Sequence, residues 1–227
     1  FAHFMTVTQG YSMINSNDLT AITPSNAQAI GDNYLSSTIN LRTHINRYIV
    51  GAEATMMKDT RSFANMFRDI NDPVTVGSRL YNAELQFGYA VLDKPNMKLY
   101  PIVGGGLGQS QVNIEQQKDV DASQIVDGET EGTSININQR NFTTDFGVGF
   151  DYIIPCKKKD ECNPDRKYGF VVGAKVGYQM AFSYNDWEHN GGNINGGPDF
   201  NPSGFYAGLT LGFVKTSKGG MFNNSGK

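Results

Sequence analysis

The sequence predicts an all-β chain: an eight-stranded antiparallel up-and-down transmembrane β-barrel with short turns at one end and four long loops at the other. Three observations predict it. Apolar and polar residues alternate with period two through eight segments. Charged residues within those segments fall on one phase, which is also the phase rich in small residues. The connections alternate between short and long, the layout of a barrel threaded through a membrane.

Composition agrees. Of 227 residues, 26 are glycine and 11% are aromatic, which fits strands and turns, while only 18% are charged. No apolar run of about 18 residues exists, so no segment reads as a transmembrane helix. The net charge of −3 and the lack of a Lys/Arg stripe point away from nucleic acid. The chain opens Phe1-Ala2-His3-Phe4-Met5, without the basic start and apolar run of a signal peptide. It reads as cytosolic or already processed, and the barrel pattern favours processed.

The elements follow in order. Met5 to Ile14 is the poorest strand, because Gln9 interrupts Met5, Val7, Tyr11 and Met13. Tyr34 to Ile45 places Leu35, Ile39, Leu41 and Ile45 on one face. A tight turn near Asn46 leads to Tyr48 to Met57, with Tyr48, Val50, Ala52, Ala54 and Met56 opposite Gly51, Glu53 and Thr55. Asn82 to Leu92 sets Ala83, Leu85, Phe87, Tyr89 and Val91 against Glu84, Gln86 and Gly88. Asp93-Lys94-Pro95-Asn96 has turn chemistry and joins it to Leu99 to Ile114. That strand is interrupted by Gly104-Gly105-Gly106, which lack the lysine and helix of a phosphate loop and mark a bend or close contact instead. Lys167 to Tyr184 is the clearest strand and Asn141 to Ile154 repeats its pattern, with Phe146, Val148, Phe170 and Val172 on the apolar phase. Gly204 to Val214 is the eighth, and a polar tail, residues 217–227, follows the barrel of residues 1–216. The long connections are roughly 15–33, 58–76, 115–138 and 185–203.

The charges assign the faces. Arg42, Glu53, Glu84, Asp145, Asp151 and Lys175 share the small-residue phase, and Arg79, at the outer end of its strand, is the exception. A Lys or Arg on a lipid face at mid-membrane costs about 2–4 kcal/mol, so the charged phase belongs inside and the aromatic phase outside. A soluble up-and-down barrel would reverse this and carry many Lys and Glu on its outer phase, whereas here that phase is Gly, Ser, Thr and Ala. Tyr48, Tyr152 and Tyr168 suggest an aromatic girdle at the short-turn end, with Tyr100 on the other phase. The six charges are expected to form a lumen ion-pair network, with Lys175 joined to Asp145 or Glu84.

Tyr206-Ala-Gly208-Leu-Thr-Leu211-Gly-Phe213 resembles the signal read by the barrel-assembly machinery at the last strand of outer-membrane proteins. The tail beyond Phe213 departs from it, since many such chains stop at that aromatic. Leu99-Tyr-Pro-Ile-Val-Gly104, Phe146-Gly-Val-Gly-Phe-Asp151-Tyr152, Gly173-Ala-Lys-Val-Gly-Tyr178 and Gly197-Pro198 resemble small outer-membrane barrel-domain proteins of the Bacteroidota, of the OmpA and OmpX type. The resemblance implies an integral protein of a Gram-negative outer membrane and little about activity.

In that setting Cys156 and Cys162, with five residues between them, suggest a disulfide-closed periplasmic loop, free thiols being the alternative. No catalytic, cofactor or metal residue is assigned. His189, the one histidine in a long loop, could meet Ser183 or Ser203 in a lipid-modifying enzyme, but reads better as a surface residue. Asp119, Asp121, Asp127, Glu129 and Glu131 form an acidic loop without calcium-loop spacing. Trp187, His189 and Phe200 are candidate contacts of a binding loop. The expected function is a non-enzymatic structural or accessory subunit of an envelope complex. A surface adhesin, a lipid-modifying enzyme and a narrow pore are the alternatives. The expected partners are outer-membrane lipid and lipopolysaccharide, the assembly machinery, and other outer-membrane proteins or lipoproteins.

Overall fold

Alternating segments of this length can satisfy their backbone groups only by pairing side to side, and closure leaves no edge. The computed structural model describes residues 1–16, 19, 31–60, 74–116, 133–156, 167–183, 185–194 and 200–216. Eleven strands occur among them: β1 (Ala2–Ile14), β2 (Asn33–Ile45), β3 (Tyr48–Asp59), β4 (Val74–Tyr89), β5 (Leu92–Lys94), β6 (Met97–Gln116), β7 (Thr133–Pro155), β8 (Lys167–Ser183), β9 (Trp187–His189), β10 (Gly192–Ile194) and β11 (Gly204–Thr216). All pairings are antiparallel, and eight strands close a ring: β1-β2-β3-β4-β6-β7-β8-β11 and back to β1. No described helix is long and apolar enough to cross a membrane, which says nothing of a barrel that crosses with strands.

The register gives the stagger. A row of paired residues starting at Leu99 on β6 passes Phe150, Ala174, Leu209, Gln9, Ser37, Met56 and Tyr81. It returns to β6 at Gln109, ten residues from its origin. Such a shear tilts eight strands by roughly 40° and leaves an interior that side chains can fill.

Faces alternate as the charges require. Inward residues of β1, among them Ala2, Phe4, Thr6, Thr8 and Ser12, are buried, while Met5, Val7, Tyr11 and Met13 face out. Leu85, Phe87, Phe146, Phe170, Phe205, Leu209, Leu211 and Phe213 continue the outward apolar belt. Outward rings meet across strands, as Phe170 meets Phe213 at 5.0 Å and Tyr178 meets Phe205 at 4.7 Å.

The turns show local chemistry. Asn46 holds φ of 55° in the β2–β3 turn, a left-handed conformation that Asn tolerates. Asn190 (φ 50°) and Gly191 (φ 81°) link β9 to β10 with the two positive φ values of a tight hairpin turn.

Two expectations change. The Asp93–Asn96 connection is not a bare turn, since β5 pairs with the start of β6. The loop expected over 115–138 is shorter, because β6 and β7 stay paired out to Gln116 and Thr133. The acidic-loop residues Asp119, Asp121, Asp127, Glu129 and Glu131 lie outside the described residues, as does the tail of residues 217–227. Cys156 is exposed and in no disulfide among the described residues, while Cys162 lies outside them.

Candidate functional site

The lumen is stratified. At the short-turn end, Ala2, Phe4, Ile153, Val171 and Val214 form one apolar cluster, and Ile49, Tyr100 and Ile102 form another. His44 is buried between them, its ring 4.3 Å from that of Phe4. Lys98, fully buried, pairs with Asp93 from β5. The sequence reading missed this pair, because Lys98 stands beside a turn where a charge looks solvated. Only the β5–β6 ladder folds Asp93 back against it.

Above this lies the polar layer. Arg42 donates to Asp151 at 2.7 Å and to the Tyr100 hydroxyl, and its guanidinium lies 5.1 Å from the rings of both Phe4 and Tyr100. Lys175 donates to Glu53 at 2.9 Å and to Asp145 at 3.1 Å. The Tyr206 hydroxyl donates to Asp145 at 2.6 Å, and Asn40 bridges Glu53 and Gln86 at 2.9 Å each. Lys175 thus meets Asp145, and Glu53 rather than Glu84. Glu84 lines the same cavity without an ion-pair partner among the described residues.

Both long-range pairs cross the barrel. β8 and β3 are four strands apart in a ring of eight, as are β7 and β2, so Lys175–Glu53 and Arg42–Asp151 each join opposite walls. Desolvating such charges costs several kcal/mol per ion, and the added hydrogen bonds from Asn40, Tyr100 and Tyr206 offset part of it. Glycines make room: a Cβ at Gly149 would overlap the Tyr100 ring, and one at Gly177 would overlap the end of Tyr206. The cavity among Thr8, Thr38, Glu53, Glu84 and Lys175 measures about 30 Å³, room for a water or two.

The long-loop end is closed by a third cluster, built from Ile14, Leu19, Tyr34, Met57, Val76, Leu80, Val112, Ile137, Trp187 and Phe200. Trp187 and Phe200 stack at 6.5 Å and are 2% and 0% exposed. Their reading as binding-loop contacts is therefore corrected: β9 turns Trp187 inward, and both rings plug the barrel mouth. His189 is half-buried, with Nδ1 at 2.8 Å from the Asn136 carbonyl. Neither serine approaches it: Ser183 donates to the Phe200 carbonyl at 2.7 Å, and Ser203 accepts the Ala181 N–H at 3.0 Å. Among the described residues no cluster of three His, Cys, Asp or Glu could hold a metal.

Of the assembly-signal residues, Leu211 and Phe213 face outward, whereas Tyr206 points into the lumen and Gly208 packs against Thr8 and Gly10.

No protein-family model and no curated protein matches the chain. Solved structures do resemble it. The attachment invasion locus protein Ail of Yersinia pestis aligns at TM-score 0.48 and 9% identity, over 94% of this chain and 97% of that one. The Neisserial surface protein A aligns at 0.40 and 10%, over 96% and 99%. The outer-membrane protease OmpT of Escherichia coli aligns at 0.30 and 9%, over 95% and 96%. What establishes the closed antiparallel barrel is the strand ladder itself, which returns from β11 to β1.

Proposed function

We propose that this chain is an integral outer-membrane barrel with a non-enzymatic, structural role, serving as an accessory subunit whose outer wall and extracellular sheet are its working surfaces. The observation that carries the reading is a filled barrel inside an apolar belt. Tyr48 and Tyr89 are paired at the short-turn end, and Lys58 and Arg79 are paired ten residues further along the same two strands. At about 3.3 Å per residue and a tilt near 40°, those rows stand about 25 Å apart along the axis, the height of the lipid-facing band of such barrels. Inside that height the lumen holds two crossing ion pairs between apolar layers, which supports a support element over a pore. Insertion through the assembly machinery rests on the pattern of β11.

A second reading, a binding module, is favoured by one observation. The β6–β7 ladder continues past Gln109↔Arg140 to Gln116↔Thr133, which lifts a paired hairpin beyond the belt, with β9 beside it. Extraction in mild detergent separates the two. A stoichiometric co-purifying membrane protein supports the subunit, and a lone barrel that binds surface ligands supports the module. Membrane fractionation and a heat-modifiable gel shift test the common ground. Recovery as a soluble monomer without detergent would remove both, and steady single-channel conductance would restore the pore.

A further inference from the structure

The outer wall departs from a smooth cylinder on one side. Ala54 and Ala83, directly paired on β3 and β4, form the floor of an outward groove of about 910 Å³. Ile39, Met56 and Leu107 form its walls, and Tyr81 and Arg140 stand at its extracellular end. That volume lies at the upper end of the roughly 300–1,000 Å³ of ligand pockets.

The charges above it are unusual. Lys58 and Arg79 are cross-strand partners in direct register, both on the outward phase. Like charges directly opposite one another on a sheet repel. Arg140 is also exposed and faces outward from β7, one strand beyond β6. Among the described residues none of the three has a carboxylate within ion-pair distance. The acid on the neighbouring strand, Glu188, accepts a hydrogen bond from Asn185. Lys58 and Arg79 mark the outer limit of the apolar belt, so this positive field sits at headgroup level. The groove opens directly beneath it, at acyl-chain level.

We propose that this face binds one molecule of the outer leaflet's phosphorylated, acylated glycolipid, with its phosphates on Lys58, Arg79 and Arg140 and acyl chains in the Ala54–Ala83 groove. The occupant follows from complementarity. Cations with no carboxylate partner among the described residues at the lipid boundary call for phosphate, and two separate cation positions call for more than one anionic group per headgroup. An apolar groove with Arg140 at its rim, and Met56 and Tyr81 one outward position below Lys58 and Arg79, calls for attached chains. Small side chains at positions 54 and 83 let those chains approach the wall closely, where larger ones would fill the space.

The proposal rests on the outer-membrane reading, and its test separates the two. The full chain would be placed in lipid nanodiscs and titrated with deep-rough lipopolysaccharide, with the same glycolipid dephosphorylated, and with phosphatidylglycerol. Three variants would be compared with wild type: the double K58Q/R79Q, R140Q, and A83F, which fills the groove and leaves the cations. The proposal expects K58Q/R79Q to weaken lipopolysaccharide binding about tenfold or more, the scale of a lost charge-assisted hydrogen bond. Dephosphorylation should weaken wild type more than the double variant, which keeps only Arg140, and R140Q alone should weaken lipopolysaccharide binding less than the double variant does. A83F should weaken binding while keeping the preference for phosphate. Equal binding by wild type and all variants would overturn it, as would equal binding of phosphatidylglycerol. All variants should keep the heat-modifiable shift. Loss of that shift in wild type itself would instead overturn the membrane assignment.

Discussion

Lys175 has both a near partner and a far one. Asp145 comes from the adjacent strand β7, and Glu53 reaches from the opposite wall. Replacing Lys175 with Met leaves two buried carboxylates without their cation, and breaking a buried pair in this way costs about 3–5 kcal/mol. The expected outcome is a lower unfolding midpoint in detergent, and unchanged melting would show that the crossing pair does not stabilise the barrel. Tyr206→Phe removes only the hydroxyl that donates to Asp145, so about 1–3 kcal/mol is expected from the same measurement. Gly149→Val tests space rather than charge: a side chain there overlaps the Tyr100 ring, which Arg42 in turn packs against. Overpacking of this kind costs about 1–3 kcal/mol. Which residues share the interior was legible in the sequence, because phase alone separates Glu53 and Lys175 from Ala54 and Val176. Which acid meets which base was not. That depends on ring closure and a shear of ten, and neither leaves a trace in a single strand's pattern.

The strands themselves were legible wherever alternation is strong, as in β8, where one phase is Phe170, Val172 and Val176 and the other Gly169, Gly173 and Gly177. Their ends were less so. β6 and β7 run past Ile114 and Asn141 through polar residues such as Glu115, Gln116, Asn136 and Asn138, whose pairing depends on the partner strand rather than on hydrophobic contrast. The β9–β10 hairpin had an available local signal in Asn190-Gly191, since that dipeptide supplies both positive φ values. The plug had none. Leu19 comes from the β1–β2 connection and Trp187 and Phe200 from the β8–β11 connection, and they meet only because the barrel brings its loops to one end. Trp187→Ala should therefore act on this element. The lost packing is on the scale of about 3–5 kcal/mol for a buried aromatic, concentrated at the barrel mouth. Faster amide exchange and protease cleavage across Trp187–Ile194 are expected, with β11 protected as before. Uniform loosening of all strands would show instead that the plug is part of the global core.

Seen as a whole, the molecule inverts the order of a soluble protein: an extended set of large apolar side chains faces outward, and the charges at mid-height pair inside. The interior compensates by being stratified, with ion pairs at mid-height and apolar clusters at either end. On the membrane reading proposed above the outward belt meets hydrocarbon, which makes the solvent of the outer face a measurable property of the fold. Leu209, 73% exposed, lies on β11 in the row that joins Ala174 to Gln9, midway up the belt. Thr210, its neighbour, is buried in the lumen. Leu209→Arg places a cation against the bilayer centre and should cost about 2–4 kcal/mol in urea unfolding from lipid vesicles. The same cation at Arg79 is already present and tolerated, because it clears the belt. The discriminating comparison is between solvents. In vesicles the Leu209→Arg penalty should be near its full value, and it should shrink where the same face meets a short-chain micelle that lets the guanidinium reach water. A penalty equal in both would mean that the arginine harms packing within the barrel, whereas one confined to the bilayer shows lipid to be the medium this wall is built to meet.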